Sequence, residues 1–176
     1  RPVTFLFIGR ILTDKGVSEF VQAAEKVAEE KDYPDVQFQI IGPTGYNNPN
    51  ALTLADLELA TSSGVVSYLG SFPDVRPFIE RAACVVLPSY REGMPRVLME
   101  ALSMRRPIIA SNVPGCRDLA REGETGYLCE PKSAQSLFMA MKKFLETSLE
   151  QKRRMGEIGR AYIKSNYHED FVADKY

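Results

Sequence analysis

The sequence has 176 residues, 44% of them hydrophobic and 26% charged, and its formal net charge at pH 7 is −1. These values exclude the collagen-like, disordered and coiled-coil classes, and the length suits a single domain. A near-neutral charge gives no general attraction to nucleic acid, and without Trp only Tyr and Phe remain to stack on bases. The composition therefore predicts one globular domain with no nucleic-acid partner.

Three cysteines and one histidine leave little for a disulfide framework, a zinc site or a His-based triad. Cys84, Cys116 and Cys129 lack metal-ligand spacing and are expected to be reduced thiols, which favours a cytoplasmic location. No apolar run approaches the roughly 18 residues of a membrane-spanning helix. Because the sequence begins at Arg1 and not at Met, we expect a fragment of a longer protein; we expect His168 to be structural or exposed.

Short apolar runs alternate with helical stretches along nearly the whole chain. The predicted strands are Val3–Gly9, Val36–Gly42, Val65–Gly70, Cys84–Pro88, Pro107–Ser111 and Gly126–Cys129. The predicted helices are Gly16–Lys31, Leu52–Ser62, one with Asp74 as N-cap and Pro77 in its first turn, one that includes Glu100, Cys116–Glu122, Ser133–Thr147 and Leu149–Ser165. This alternation predicts an α/β fold with a doubly wound parallel sheet of about six strands. Ligands of such sheets bind beyond the carboxyl ends of the strands, where the strand order reverses.

The loop after the first strand contains a candidate phosphate site. Arg10 and Lys15 flank a turn that runs from Gly9 to Gly16, beside the start of a helix. A guanidinium fork, an ammonium group and free helix amides suit a phosphate. The segment matches neither the Walker loop nor the dinucleotide-binding fingerprint. The alternative is a surface turn with two solvated charges.

The segment after the fourth strand, Glu92–Leu102, contains a second candidate. Pro95 is expected at the first helical position, and neither Gly93 nor Met94 has a side chain that can cap the helix. The amides of the first turn therefore need an acceptor, and an anion would supply one. The helix is apolar nearly all round, so we expect it to be buried.

Two acidic residues accompany this helix, Glu92 before it and Glu100 eight residues later within it. A buried carboxylate without a partner is costly, so Glu100 needs donors, and a ribose diol would supply two. Glu92 is placed where a second polyol would reach it. The alternative is that Glu100 pairs with Arg105 or Arg106 and that Glu92 is a solvated loop acid.

Together, these motifs resemble the donor-binding half of retaining glycosyltransferases of family 4, which have the GT-B fold. The resemblance extends from about Phe5 to Tyr167 and is greatest to bacterial members that extend lipid-diphosphate-linked glycans, some from UDP-N-acetylgalactosamine. Further matches are at Gly70, Pro88-Ser89, Pro107–Ser111, Pro114-Gly115 and Gly123–Leu128. Pro95 replaces a small residue of many members, and Asp118 stands where Glu is common.

The resemblance implies roles for individual residues. Arg10 and Lys15 would bind the donor diphosphate and stabilise the departing nucleoside diphosphate. Glu92 would hold sugar hydroxyls beside the anomeric carbon, and Glu100 would hold the ribose diol. The other donor contacts would come from Gly9, from Gly93, Met94, Pro95, Arg96 and Val97, and, against the base, from Gly70, Ser71 and Phe72.

The resemblance also implies that no metal or other cofactor is used, and the sequence has no Asp-x-Asp motif. The family's N-terminal acceptor domain would lie outside this sequence, and the segment 149–176 would pack toward it. We therefore expect a fragment that binds nucleotide-sugar weakly without turnover. The acceptor could be lipid-linked at the inner face of a membrane. The basic last helix could contact that membrane or be a solvated face. The alternative function is a non-catalytic nucleotide-binding regulatory or scaffold module.

Overall fold

A computed structural model gives the structure of the protein and describes residues 2–167, which form one six-stranded sheet flanked by helices. The strands are β1 Val3–Ile8, β2 Val36–Ile41, β3 Val66–Gly70, β4 Cys84–Leu87, β5 Ile108–Ser111 and β6 Gly126–Cys129. Their order is β3-β2-β1-β4-β5-β6, and all neighbouring pairs are parallel. The predicted doubly wound α/β fold is confirmed. The order reverses between β1 and β4, so the loops after these two strands flank the expected crevice.

The helices cover both faces of the sheet. They are α1 Val17–Glu29, α2 Leu54–Ala60, α3 Arg76–Arg81, α4 Arg96–Ser103, α5 Pro114–Arg117, α6 Ala134–Glu146 and α7 Leu149–Asn166. Alternate residues of β1 enter two separate cores. Phe5 packs with residues of α1 and α6, whereas Leu6 packs with residues of α3, α4 and α5. This alternation follows from the two-residue period of a strand that is buried on both faces.

Two predicted helix starts were wrong. Val75, not Asp74, is the N-cap of α3, and the Asp74 carboxylate instead accepts from the amide and the guanidinium of Arg76. Pro95 is the N-cap of α4 rather than its first helical residue. Its ψ of 91° is extended, so the helix begins one residue later than predicted.

The helix predicted at Cys116–Glu122 was also misplaced, because α5 ends at Arg117. The reason is a buried hydroxyl. Thr125 Oγ1 donates to the carbonyl of Leu119 (2.6 Å) and accepts from the amide of Arg121 (2.8 Å). These bonds draw the backbone after α5 away from the helical pattern.

Helix α7 packs closely against α4 through two glycines. A Cβ at Gly156 would lie 2.4 Å from the carbonyl oxygen of Arg105, and one at Gly159 would lie 2.6 Å from Leu102 Cδ2. That the segment 149–176 also faces a second domain stays a prediction, and its end, including His168, lies outside the described residues. Between residues 2 and 167, no helix combines the length and apolarity needed to cross a membrane.

All three cysteines lie within the described residues, and their thiols are free and buried. Cys84 lies in the core, as expected for a small hydrophobic side chain. Burial raises the pKa of the Cys116 and Cys129 thiols to about 12, so both stay protonated and unreactive near neutral pH.

Candidate functional site

The loops after β1 and β4 meet through their backbones. The amide of Tyr90 donates to the carbonyl of Asp14 (2.8 Å), within a short 3-10 turn, Thr13–Lys15, that precedes α1. Gly16 ends this turn with a φ of 81°, and a Cβ there would lie 2.1 Å from the carbonyl oxygen of Pro88. Both conditions require glycine. The two predicted motifs therefore lie side by side in the crevice.

An ion pair joins these two loops across 77 residues of sequence. Lys15 Nζ lies 2.6 Å from Glu92 Oε2, and the same oxygen accepts from Ser89 Oγ at 2.7 Å. The side chains of Lys15 and Glu92 are only 18% and 9% exposed, and Ser89 is fully buried. The pair is thus shielded, so water screens the attraction between its two charges less than it screens that of an exposed pair. Glu92 is not the solvated loop acid of the alternative interpretation.

The N-terminus of α4 is open. Pro95 has no amide hydrogen, no described side chain caps the helix, and the amides of Leu98 and Met99 both donate to the Pro95 carbonyl. A Cβ at Gly93 would meet no described atom within 4 Å, so the space before the helix is available to a ligand. The positive end of the helix and the ammonium of Lys15 both favour an anion there.

A cavity of about 380 Å³ adjoins this helix start. Its walls come from the Glu92 loop, α4 and the beginning of α5, and they include Glu92, Gly93, Met94, Pro95, Met99 and Gly115. A Cβ at Gly115 would lie 2.3 Å from the carbonyl oxygen of Glu92. The start of α5 therefore supports the loop from behind while its other side stays open. Pro114, Asp118, Leu119 and Tyr167 complete the lining of the cavity.

Arg10 lies at the same edge of the sheet but is oriented differently from Lys15. Its side chain is exposed, and the guanidinium carbon is 5.8 Å from the ring centroid of Tyr46, in the loop after β2. Gly9 and Gly42 lie in close backbone contact beside it, since a Cβ at Gly42 would fall 1.7 Å from the Gly9 carbonyl oxygen. The structure therefore joins Lys15 to Glu92 and places Arg10 against Tyr46.

Glu100 is half-buried on α4, less enclosed than predicted. Of the two arginines proposed as its alternative partners, Arg105 pairs with Glu157 at 2.9 Å. Arg106 donates to the carbonyls of Ile79 and Glu80, at 3.1 and 2.7 Å. The ribose-binding role of Glu100 stays a prediction. Of its helical neighbours, Arg96 is exposed and Val97 half-buried.

The predicted base-contacting turn follows β3, at one edge of the sheet. Three strand spacings, about 14 Å, separate β3 from β4. Gly70 has a φ of 101°, Ser71 is exposed, and Phe72 is 40% exposed with its ring 4.6 Å from that of Phe78. An aromatic surface is thus present after the edge strand β3, apart from the Lys15–Glu92 pair.

Sequence reasoning missed how Tyr90 and Ser89 hold the loop in place. The Tyr90 hydroxyl donates to Glu19 in the first turn of α1 (2.8 Å), and Lys132 Nζ lies 5.2 Å from the ring centroid. Burial, followed by the bond to Glu19, raises the pKa of Tyr90 to about 12, so the hydroxyl remains a donor. The sequence did contain one signal for this role, the position of Tyr90 in the chain: it directly follows Ser89 and precedes Glu92 by two residues.

A helix start without a side-chain cap, beside a Lys–Glu pair at the switch point of a parallel sheet, is typical of α/β domains that bind phosphorylated ligands. A family model described as glycosyl transferases group 1 matches residues 1–162. The chain therefore belongs to this family, and the predicted membership is confirmed.

Among its relatives is the N,N'-diacetylbacillosaminyl-diphospho-undecaprenol alpha-1,3-N-acetylgalactosaminyltransferase of Campylobacter jejuni. The two sequences are 29% identical over an alignment of 177 positions, which covers 100% of this chain but 43% of the relative. This chain thus spans less than half of that transferase.

Solved structures show the same fold. Anabaena HepE in complex with UDP-glucose has a TM-score of 0.81 and 19% identity, covering 95% of this chain and 45% of that one. The C-terminal domain of the group 1 family protein LpcC from Francisella tularensis has a TM-score of 0.79 and 22% identity. That alignment covers 93% of this chain and 85% of the LpcC domain.

Proposed function

We propose that this chain is the donor-binding domain of a retaining glycosyltransferase, which moves a sugar from a UDP-sugar to a hydroxyl of a glycan or lipid-linked acceptor. The observation that carries the proposal is the shielded Lys15–Glu92 pair at the open start of α4. In this proposal, Lys15 is the cation that binds the diphosphate, and Glu92 is the carboxylate that binds sugar hydroxyls. Membership of the family supports the type of reaction.

Each group has a chemical task in this proposal. Lys15, Arg10 and the first amides of α4 balance the negative charge that grows on the diphosphate as the bond to the anomeric carbon breaks. The acceptor hydroxyl attacks from the same face, and its proton passes to the departing diphosphate. Glu92 orients the sugar, and Glu100 and the Gly70–Phe72 turn hold the nucleoside. The protein's cations take the place of a metal ion.

Two relatives support the finer identity of the substrates. The structure of Anabaena HepE contains UDP-glucose, which favours uridine in the donor. The Campylobacter enzyme is named for transfer to a diphospho-undecaprenol acceptor, which favours a lipid-linked glycan at the cytoplasmic face of a membrane. We further propose that an N-terminal domain of the intact protein supplies the acceptor site and that the segment 149–176 faces it.

Thermal shift with UDP, GDP, ADP and their sugars tests the proposal. One nucleotide family should raise the melting temperature, and the shift should persist in EDTA. Lys15→Ala should weaken binding at least tenfold, since it removes a charged hydrogen bond, and Arg10→Ala should weaken it as well. Lys31→Ala, an exposed cation beyond the far end of α1, is the matched control and should change nothing.

Two results would contradict this assignment. If no nucleotide shifts the melting temperature, the chain is better described as a regulatory or scaffold module that kept the fold. Steady sugar transfer by residues 1–176 alone would show that no second domain is needed for the acceptor.

A further inference from the structure

The Lys15–Glu92 pair is expected to interact differently with the substrate of the proposed reaction, a sugar nucleotide, and with its product, a nucleoside diphosphate. Glu92 Oε2 accepts a hydrogen bond from the Lys15 ammonium group, which is the group that a diphosphate would need. Any diphosphate that binds Lys15 must therefore approach a carboxylate. The energy of this approach depends on how much charge the diphosphate carries and on whether it brings hydrogen-bond donors for Glu92.

A sugar nucleotide and a free nucleoside diphosphate differ in both respects. The terminal phosphate of a nucleoside diphosphate is substituted only at its anhydride oxygen and carries about −1.5 to −2 near pH 7. In a sugar nucleotide the same phosphate is also esterified to the sugar, so it carries about one negative charge, and the sugar adds hydroxyl donors. Since Ser89 and Lys15 both bind Oε2, the other carboxylate oxygen, Oε1, can accept from a sugar hydroxyl.

Glu92 is held so that it cannot easily turn away from a bound phosphate. Its carboxylate is fixed by the hydroxyl of the fully buried Ser89, and its backbone carbonyl lies against Gly115, where a Cβ would come within 2.3 Å. The side chain is only 9% exposed, so water screens its charge poorly. Repulsion between this carboxylate and a terminal phosphate is therefore retained in the complex.

We propose that Glu92, fixed by Ser89 and Lys15, selects sugar nucleotides over the corresponding free nucleoside diphosphate and so promotes product release. The inference rests on the proposed function and adds a second role for the same carboxylate. When the sugar leaves, Glu92 loses its hydroxyl partners and gains a more highly charged neighbour. It then competes with the phosphate for Lys15.

Titration calorimetry with three probes tests this role in the wild-type chain and in Glu92→Gln. The probes are UDP, UDP-glucose and the β-methyl ester of UDP, which has the charge of a sugar nucleotide without its hydroxyls. Glu92→Gln keeps the side-chain shape and removes one charge. Glu124→Gln, an exposed residue in the turn before β6, is the control that makes the same change of net charge. Thermal melting confirms that each variant is folded.

We expect Glu92→Gln to tighten UDP binding roughly tenfold, because a like charge is removed from beside the phosphate. It should weaken UDP-glucose binding roughly tenfold, because a charged acceptor of sugar hydroxyls becomes neutral. The same substitution should increase the affinity for the methyl ester less than it increases the affinity for UDP. Glu124→Gln should leave all three affinities unchanged.

The outcomes separate this inference from the function on which it rests. If the wild-type chain binds UDP and UDP-glucose but Glu92→Gln changes both affinities by the same factor, the inference is overturned and the donor-binding proposal stands. An equal gain in affinity for UDP and for its methyl ester also overturns the inference, because the charge of the terminal phosphate would then have no effect on binding. If none of the probes binds the wild-type chain, both proposals fail.

Discussion

The two ends of α4 differ in the hydrogen-bond partners that the rest of the chain provides for them. At its C-terminus, the amides of Arg105 and Arg106 donate to Leu102 and Ala101, and Arg160 Nη1 donates to the carbonyl of Ser103 at 2.6 Å. At its N-terminus stands Pro95, and no side chain within residues 2–167 caps the first turn. The first amides of α4 therefore have no side-chain acceptor within these residues, and the proposed function assigns them to a phosphate.

The largest expected effects come from two glycines, one beside each end of α4. Gly115→Ala and Gly156→Ala would each place a Cβ within 2.5 Å of a backbone oxygen, so each should lower the free energy of unfolding by about 1–3 kcal/mol. Only Gly115→Ala moves the Glu92 loop, so only this variant should also lose nucleotide affinity. Urea denaturation and calorimetry measure the two effects. Equal loss of affinity in both variants would show that the two ends are not independent.

Arg160→Ala tests the capped end alone. It removes a charged hydrogen bond to the Ser103 carbonyl, and we expect a loss of about 1.5 kcal/mol in the free energy of unfolding. Nucleotide affinity should stay at the wild-type value. Lys164→Ala, one turn further along α7 and exposed, is the control and should change stability by less than about 0.5 kcal/mol. A drop in affinity for Arg160→Ala would link the C-terminal cap to the site.

Tyr90→Phe tests the loop at the open end. Removing the hydroxyl that donates to Glu19 should lower the free energy of unfolding by about 1 kcal/mol at neutral pH. Burial raises the pKa of Tyr90 from its usual 10 to about 12, so its contribution is complete below pH 10 and is lost as the pH approaches 12. Urea denaturation between pH 9 and 12 should therefore show a steeper fall for the wild type than for Tyr90→Phe. Parallel curves would contradict this assignment.

The smallest effect is expected at Arg105, which has a φ of 60° just after α4. Arg105→Gly relieves a left-handed conformation that costs about 1 kcal/mol and removes an exposed pair with Glu157. We expect a net gain of about 0.5 kcal/mol in the free energy of unfolding. Arg105→Ala removes the pair but keeps a Cβ, and it should show no gain. Thermal and urea denaturation of the two variants decide between these outcomes.

Most of the architecture was predictable because its signals are local. Continuous apolar runs such as Cys84–Leu87 predict strands buried on both faces, and their alternation with helices predicts the doubly wound sheet. Lys15 and Glu92 each follow a strand, at the edge of the sheet where ligands were expected to bind. Sequence also indicated that neither Gly93 nor Met94 could cap α4.

What sequence could not predict is which partner each polar side chain or backbone segment takes, over a few residues in some cases and between distant segments in others. The end of α5 is decided by the Thr125 hydroxyl, and the Asp74 carboxylate is turned from capping by the guanidinium of Arg76. The orientation of Arg10 depends on Tyr46, which lies beyond a different strand. The fit of Gly16 beneath the Pro88 carbonyl is likewise visible only when β1 and β4 are adjacent.

The close packing of α7 through Gly156 and Gly159 has a consequence for building chimaeras from this domain. Helix α4, whose start borders the crevice, packs at Leu102 and Arg105 against a helix from a much later part of the chain. A graft of β4 and α4 onto another scaffold would have to bring α7 as well, or an equally slim helix in its place.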